Sequence, residues 1–287
     1  MPTIAVFDSG VGGLSVLKAL RAEMPESSFV YLADSGYAPY GERGDAWVDA
    51  RCQEIAAWLT THHALDALVV ACNTATAAAI DRLRQLHPHL PIVGVEPGLK
   101  PALALTRSGH IGVMATRGTL GSQRFAQLLD KVGRHTPQLA HAVQWHTRAC
   151  HGLADAIERH DTSRIRALCA EHGTALMAQA EAAGGRLDVV VLGCTHYPFV
   201  ADTIAQVLGS DVALVDTGNA VARHTRLRLA PCDTNAHATD SPAATAGTTT
   251  ATTLLSTGSA QALGEAATRW LQLPAASAQA VHLPCRL

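Results

Sequence analysis

Short apolar runs alternate along the chain with segments whose apolar positions recur every third or fourth residue. TIAVFD (3–8), FVYLAD (29–34), ALVVAC (67–72) and PIVGV (91–95) are short, apolar and bounded by turn residues. That pattern predicts buried strands. Between the first two, LSVLKALRAEM places Leu14, Leu17 and Leu20 at helical spacing. After Asp45, the residues Val48, Cys52, Ile55 and Leu59 recur in the same way. A helix with Asp45 at its N-cap and Cys52 in the core follows. A third helix is expected through Ile80 and Leu83. Strands that alternate with helices predict a parallel sheet covered on both faces, an α/β fold.

The pattern then restarts. HIGVMAT (110–116) matches TIAVFDS (3–9) position by position, with Val113 on Val6 and Thr116 on Ser9. A helical stretch over 122–132 follows. LDVVVLGCTH (187–196) then repeats the plan of LDALVVACNT (65–74): Leu-Asp, an apolar run, a small residue and a cysteine. Two echoes in the same order predict two related α/β units. Residues 232–253 are rich in Thr, Ala and Ser with no apolar period, as expected of a surface insertion. LLSTGS (254–259) reads as a last strand and turn, ALGEAATRWLQ (262–272) as a last helix, and 274–287 as a loose tail.

Composition narrows the function classes. The 287 residues suffice for one large domain or two smaller ones, and 48% hydrophobic with 16% charged residues suits a soluble globular protein. With a net charge of -2 and no basic cluster, nucleic acid is not an expected partner. No apolar run approaches the ~20 residues of a membrane span. MPTIAVFDSG lacks the features of a secretory leader. The seven cysteines are odd in number and form no C-x-x-C pair, so reduced thiols in a cytoplasm are the expectation. The fifteen histidines include no H-x-x-x-H or H-E-x-x-H pair, and no metal site is expected.

Ligands of open α/β sheets bind beyond the carboxyl ends of the strands. Four polar signatures fall there: Asp8-Ser9, Cys72-Asn73-Thr74, Thr116 with Thr119, and Cys194-Thr195-His196. The loop SGYAPYGERG, with Tyr40 and Gly41, is placed to close over them. A thiol at the start of a helix feels free backbone N–H groups and the positive end of the dipole, which favour thiolate. Cys72 stands at such a place. Its Asn73 and Thr74 neighbours, with those amides, suit a carboxylate. Free cysteine is also a common small hydrophobe of protein cores, which is the reading for Cys52 and Cys169. The glycines of DSGVGG do not make a dinucleotide pattern, since Ser15 stands where the third glycine is needed.

FDSGVGG, PYG, ACNTA and GCTHYP, in this order and spacing, resemble the glutamate racemases, of the cofactor-independent amino-acid racemases. The resemblance spans about residues 3–229 and resumes at LLSTG. It implies two similar three-layer α/β domains with mainly parallel sheets and an active site in the cleft between them. The first would be 1–96 plus 210–273 and the second 97–209. It further implies a two-base reaction. One thiolate removes the α-proton from one face of glutamate and a neutral thiol returns a proton on the other. By this likeness Cys72 acts on the D-isomer, assisted by Asp8, and Cys194 on the L-isomer, assisted by His196. A carboxylate beside a cysteine raises the thiol pKa, so Asp8 suits the part of a proton relay or orienter. Where that family usually shows a stretch such as CPLFVPLVE, this chain has CHGLADAIE (150–158), with His151 and Asp155 in place of the prolines. Glu158 carries over as a catalytic residue, with Asp155 as a rival for the same space. Substrate contacts carried over are Asp8, Ser9, Tyr40, Gly41, Asn73, Thr74, Thr195 and His196, with Thr116 and Thr119 as additional ones. Tyr40 and Tyr197 are candidates to narrow the cavity, and Tyr197, standing before Pro198, reads equally well as a structural residue. No cofactor and no metal are implied; the partner is the small-molecule substrate, and a homodimer is compatible with the reading. D-glutamate would feed peptidoglycan synthesis in a bacterial cytoplasm.

Three rivals remain open on the residues. A sister enzyme acting on aspartate or another amino acid keeps the two-thiol logic. A cysteine hydrolase would use Cys194 as nucleophile and His196 as base. A binding module would keep the fold without turnover.

Overall fold

The computed structural model describes residues 1–135, 143–230, 251–274 and 278–283. Its first half begins β1 (Thr3–Asp8), α1 (Leu14–Glu23), β2 (Ser28–Ala33), α2 (Asp45–His62), β3 (Ala67–Val70), α3 (Asn73–Leu86) and β4 (Ile92–Gly94). After α4 (Leu99–Leu105), a second run comprises β5 (His110–Ala115), α5 (Arg117–Leu120), α6 (Gln123–His135), β6 (Gln144–Ala149), α7 (Leu153–Glu158), α8 (Thr162–Ala182), β7 (Val189–Gly193), α9 (Ala201–Leu208) and β8 (Ala213–Val215). The chain closes with α10 (Gly218–Leu229), β9 (Thr252–Ser256), α11 (Ala260–Leu271) and β10 (Ala278–Ala280).

Two sheets result, with orders β10-β9-β2-β1-β3-β4 and β6-β5-β7-β8, and their strand pairs are parallel. Parallel strands are buried on both faces, which is why they read as continuous apolar runs. The period of two assigns each residue to a face. Ile4, Val6, Tyr31 and Val69 pack against Leu14 and Leu17 of α1, Val221 of α10 and Leu263 of α11. Ala5, Phe7, Leu32 and Val70 face Ile55 and Leu59 of α2 and Leu83 of α3. In the second sheet Met114, Val190 and Leu192 meet α7, α8 and α9, while Ile111, Val113 and Val191 meet α4 and α6. Each large apolar side chain so buried contributes roughly 1.5–3 kcal/mol. The α/β class and the three layers, twice over, are as the sequence predicts.

The internal echo has a structural counterpart. The strands run β2-β1-β3-β4 in one sheet and β6-β5-β7-β8 in the other, the same relative order. The two echoed pairs are adjacent central strands, β1 beside β3 and β5 beside β7. In each sheet the connection leaves the first central strand to one side and returns on the other. A crevice forms at that switch, at the carboxyl ends.

Several boundaries differ from expectation. Asp45 is the first helical residue of α2, and Gly44 is its N-cap, without a side-chain cap. The acidic side chain then favours the helix start through its charge in the first turn. The segment from 210 does not return to the first half as the family likeness implies: β8 pairs with β7 in the second sheet, and the return comes with α10. The tail is not loose where described. β10 adds a strand beside β9, and Leu283 is buried against the α2–α3 face. The predicted insertion at 232–253 lies outside the described residues over 231–250, and Thr252 and Thr253 already belong to β9. Among the described residues, no helix is long and apolar enough to cross a membrane.

Candidate active site

The carboxyl ends of β1, β3 and β7, the start of α3, the loop after β2 and the end of α7 meet around one cavity of about 40 Å³. Cys72 and Cys194 both line it, one after β3 of the first sheet and one after β7 of the second. Ser9, Tyr40, Gly41, Asn73, Thr74, Thr116, Glu158, Thr195 and His196 line it too. Thr119 and Asp8 stand directly behind this wall, each hydrogen-bonded to lining residues.

On the first-sheet side, Cys72 is the N-cap of α3 and its sulfur accepts from Ala75 N–H at 3.5 Å. The helix start was expected to favour thiolate. Burial wins instead, and with the nearby Asp8 charge it pushes the Cys72 thiol up to about 12, the Ala75 N–H offsetting only part. Cys72 is thus a neutral thiol in this state, with its Sγ 3.8 Å from Ser9 Oγ, to which it donates. Asp8 is fully buried. Its Oδ1 accepts from Ser9 Oγ at 2.9 Å and Gly10 N–H at 3.2 Å, and its Oδ2 from Thr195 Oγ1 at 2.8 Å. Burial raises its pKa, although the His196 charge and the two hydroxyls pull the other way.

On the second-sheet side, His196 Nδ1 lies 3.7 Å from Cys194 Sγ, and its Nε2 lies 2.8 Å from Glu158 Oε2. Burial alone would lower the imidazole pKa. The hydrogen bonds and charges of Cys194 and Glu158 outweigh it and hold His196 well above its ordinary value. Burial likewise pushes Glu158 up, but its bonds from His196, Val11 N–H and Ser35 Oγ bring it below the usual carboxylate range. The pair is therefore an imidazolium on a carboxylate, with a proton at Nδ1 within reach of the sulfur. Asp155 also lines the cavity, but its carboxylate accepts from Arg159 Nε at 3.0 Å, and the carboxylate bonded to His196 is that of Glu158.

Three hydroxyls knit the halves together: Thr74 Oγ1 is 3.0 Å from Thr116 Oγ1 and 3.4 Å from Thr119 Oγ1, and the latter two are 2.9 Å apart. Asn73 Oδ1 is buried with no hydrogen-bond partner among the described residues. A buried acceptor left open in a native site is a place where a ligand donor is expected. Tyr40 does not offer its hydroxyl to the cavity. It donates to Asp34 Oδ2 at 2.5 Å, and the residue serves as wall and anchor. Tyr197 does not narrow the cavity; it is buried in the core of the second half. Among the described residues no group of three or more His, Cys, Asp and Glu side chains is placed to hold a metal ion.

The glycines of DSGVGG have a reason that the motif did not reveal. A Cβ on Gly10 would stand 2.4 Å from Glu158 Oε2, and one on Gly12 would stand 2.3 Å from His196 Nδ1. At Gly10 and Gly12 the loop is bare because the acid–base pair of the other half lies against it, and at Gly13 the Asp8 and Tyr31 side chains leave no room. Gly41 likewise leaves no room beyond hydrogen before Thr116. Sequence reasoning also missed Val11 and Ser35, which donate to Glu158. Ser35 carried a signal: Asp34-Ser35 is a polar pair at the end of a strand, just as Asp8-Ser9 is.

Known proteins agree with this architecture. The model of the Asp/Glu/Hydantoin racemase family matches residues 14–225. A glutamate racemase of Stutzerimonas stutzeri is 47% identical over 229 residues, 79% of this chain and 81% of its own length. One of Pseudomonas aeruginosa is 46% identical over 222 residues, 77% and 78% of the two lengths. Among solved structures, a glutamate racemase isoform from Bacillus anthracis superposes with a TM-score of 0.78 at 29% identity, covering 99% of both chains. The Escherichia coli glutamate racemase, solved with L-glutamate and the activator UDP-MurNAc-Ala, gives 0.74 at 30% identity, covering 94% of this chain and 95% of its own. Two thiols at echoed strand ends around one cavity, and a family match over most of the length, lead to one assignment: this chain belongs to the Asp/Glu/hydantoin racemase family.

Proposed function

We propose that this chain interconverts L- and D-glutamate by a two-base proton transfer between Cys72 and Cys194, without a cofactor, supplying D-glutamate for peptidoglycan in a bacterial cytoplasm. The observation that carries this is that both thiols line one cavity, which they reach from different sheets. Each has its own carboxylate nearby, Asp8 or Glu158. A single base tends to return a proton to the face it came from, whereas opposed thiols invert the centre.

In the L-to-D direction, Cys194 as thiolate takes the α-proton, and the bond's electron pair stays on carbon, spread into the carboxylate. Cys72 then gives its proton to the opposite face and becomes the thiolate. Burial keeps the Cys72 thiol protonated, the form from which it can donate. The reverse direction exchanges the roles, and the net chemistry leaves one thiol and one thiolate. His196 holds a proton that Cys194 can take up or give back between turnovers. The carbanion-like intermediate depends on donors already aimed at the carboxylate. The Thr74, Thr116 and Thr119 hydroxyls and the start of α3 suit that part, and Asn73 Oδ1 suits the substrate ammonium. A cavity of about 40 Å³ has room for a few waters and less than an amino acid needs, so the two halves part to admit substrate. Reclosure excludes water from the reaction.

The test is incubation of the purified, cofactor-free protein with L-glutamate in D2O. D-glutamate carrying deuterium at the α-carbon is the expected product. L-aspartate in parallel measures the side-chain preference. A folded protein that neither interconverts the isomers nor incorporates label would end the proposal. A second prediction tests the close packing at DSGVGG. Gly12→Ala is expected to lower kcat about 10²-fold, because the new methyl displaces the His196 ring. The circular dichroism spectrum should be unchanged, since Gly12 has no positive φ.

A further inference from the structure

Glu158 belongs to α7 of the second half, yet two of its three donors come from the first. Val11 N–H reaches Oε2 at 2.9 Å, and Ser35 Oγ reaches Oε1 at 2.9 Å. The arrangement is reciprocal, since Asp8 of the first half accepts from Thr195 Oγ1 of the second. Each cysteine's carboxylate is thus held by a hydroxyl from the opposite half. Ser35 itself is stationed firmly. It follows Asp34, whose Oδ1 accepts from Arg51 Nη2 at 2.7 Å and Thr257 Oγ1 at 2.8 Å, and whose Oδ2 accepts from Arg51 Nε at 2.9 Å and Tyr40 at 2.5 Å. The loop between β2 and α2 therefore presents the Ser35 hydroxyl from a fixed base.

We infer that Ser35 is a positioning residue for the Cys194 side of the reaction. Its hydroxyl orients the Glu158 carboxylate, and through it the His196 ring, only while the two halves are in contact. The inference rests on the two-thiol reading above. Its chemical content is one-sided. The Val11 amide remains in any variant, but a carboxylate with one donor fewer is free to turn, and the Nε2 bond that sets the ring turns with it. Proton exchange at Cys194 slows. Among the described residues, the hydrogen bonds of the Cys72, Ser9 and Asp8 side chains do not run through Ser35.

The test uses Ser35→Ala and Ser35→Thr in the full chain. Ser35→Ala should lower kcat/KM about tenfold for both isomers, the scale of one hydrogen bond to a charged group. Equal loss in the two directions is required by equilibrium, so the diagnostic is the isotope effect. With α-deuterated L-glutamate, transfer to Cys194 becomes the slower step and the effect should rise. With α-deuterated D-glutamate, where Cys72 breaks the labelled bond, it should fall. Ser35→Thr, which keeps the hydroxyl, should restore the wild-type values. Unchanged rates, or a loss with isotope effects unmoved in both directions, would overturn the inference and leave Ser35 a structural contact. Wild-type protein that neither racemises nor exchanges label would instead bring down the two-thiol reading, and this inference with it.

Discussion

Cys72→Ala is expected to lower the interconversion of L- and D-glutamate about 10³-fold, within the range that one positioned acid or base supplies. Cys194→Ala should do the same. Both cysteines are small and sit at the cavity wall, so the loss should come without unfolding. The comparison also separates the rivals. A hydrolase built on Cys194 and His196 has no use for the thiol across the cavity and would keep its activity in Cys72→Ala. A pure binding module has no turnover to lose. Measured by chiral analysis of product, near-equal collapse of both variants supports the opposed pair. Full activity in either one rejects it.

Arg51→Met should destabilise the fold by about 3–5 kcal/mol, the cost of stranding a buried charge. The Arg51 and Asp34 side chains are both fully buried, and the guanidinium grips the carboxylate through Nε and Nη2. It also lies 4.0 Å over the Tyr37 ring and reaches Glu54 at 3.0 Å. Methionine keeps the apolar stem and removes the charge, leaving Asp34 with the Tyr40 and Thr257 hydroxyls. Adding Asp34→Asn should recover part of the loss, because a neutral amide leaves no buried charge. Urea unfolding of the single and double variants measures both steps. A single-variant loss under about 1 kcal/mol would mean that water reaches Asp34, as at a surface pair.

Arg51 shows what the sequence concealed. In DARCQEIAAWL the arginine is one charge in a helix whose apolar positions were evident, and charged side chains in such helices mostly face water. Only the folding of β2 beside α2 puts Asp34 under it. The edge strand β6 was also missed, because QWHTRA lies at a sheet border and is apolar on neither face continuously. By contrast β1, β3, β5 and β7 were evident, since burial on both faces leaves no polar position to confuse the run.

The same division holds at the candidate active site. Asp8-Ser9, Cys72-Asn73-Thr74, Thr116 and Cys194-Thr195-His196 could be placed from the order of residues alone, because chain topology puts the carboxyl ends of parallel strands at the ligand. Which groups pair was decided only by how one sheet is set against the other. Ser35 meets Glu158 across 123 positions of sequence, Val11 meets it across 147, and Thr195 meets Asp8 across 187. The Cys72 thiol belongs to the same category. A helix start near a sulfur is visible in the sequence and argues for thiolate. The loss of water around that sulfur, which works against thiolate, exists only once the chain has folded and packed Cys72 into the core between the first sheet, α2 and α3.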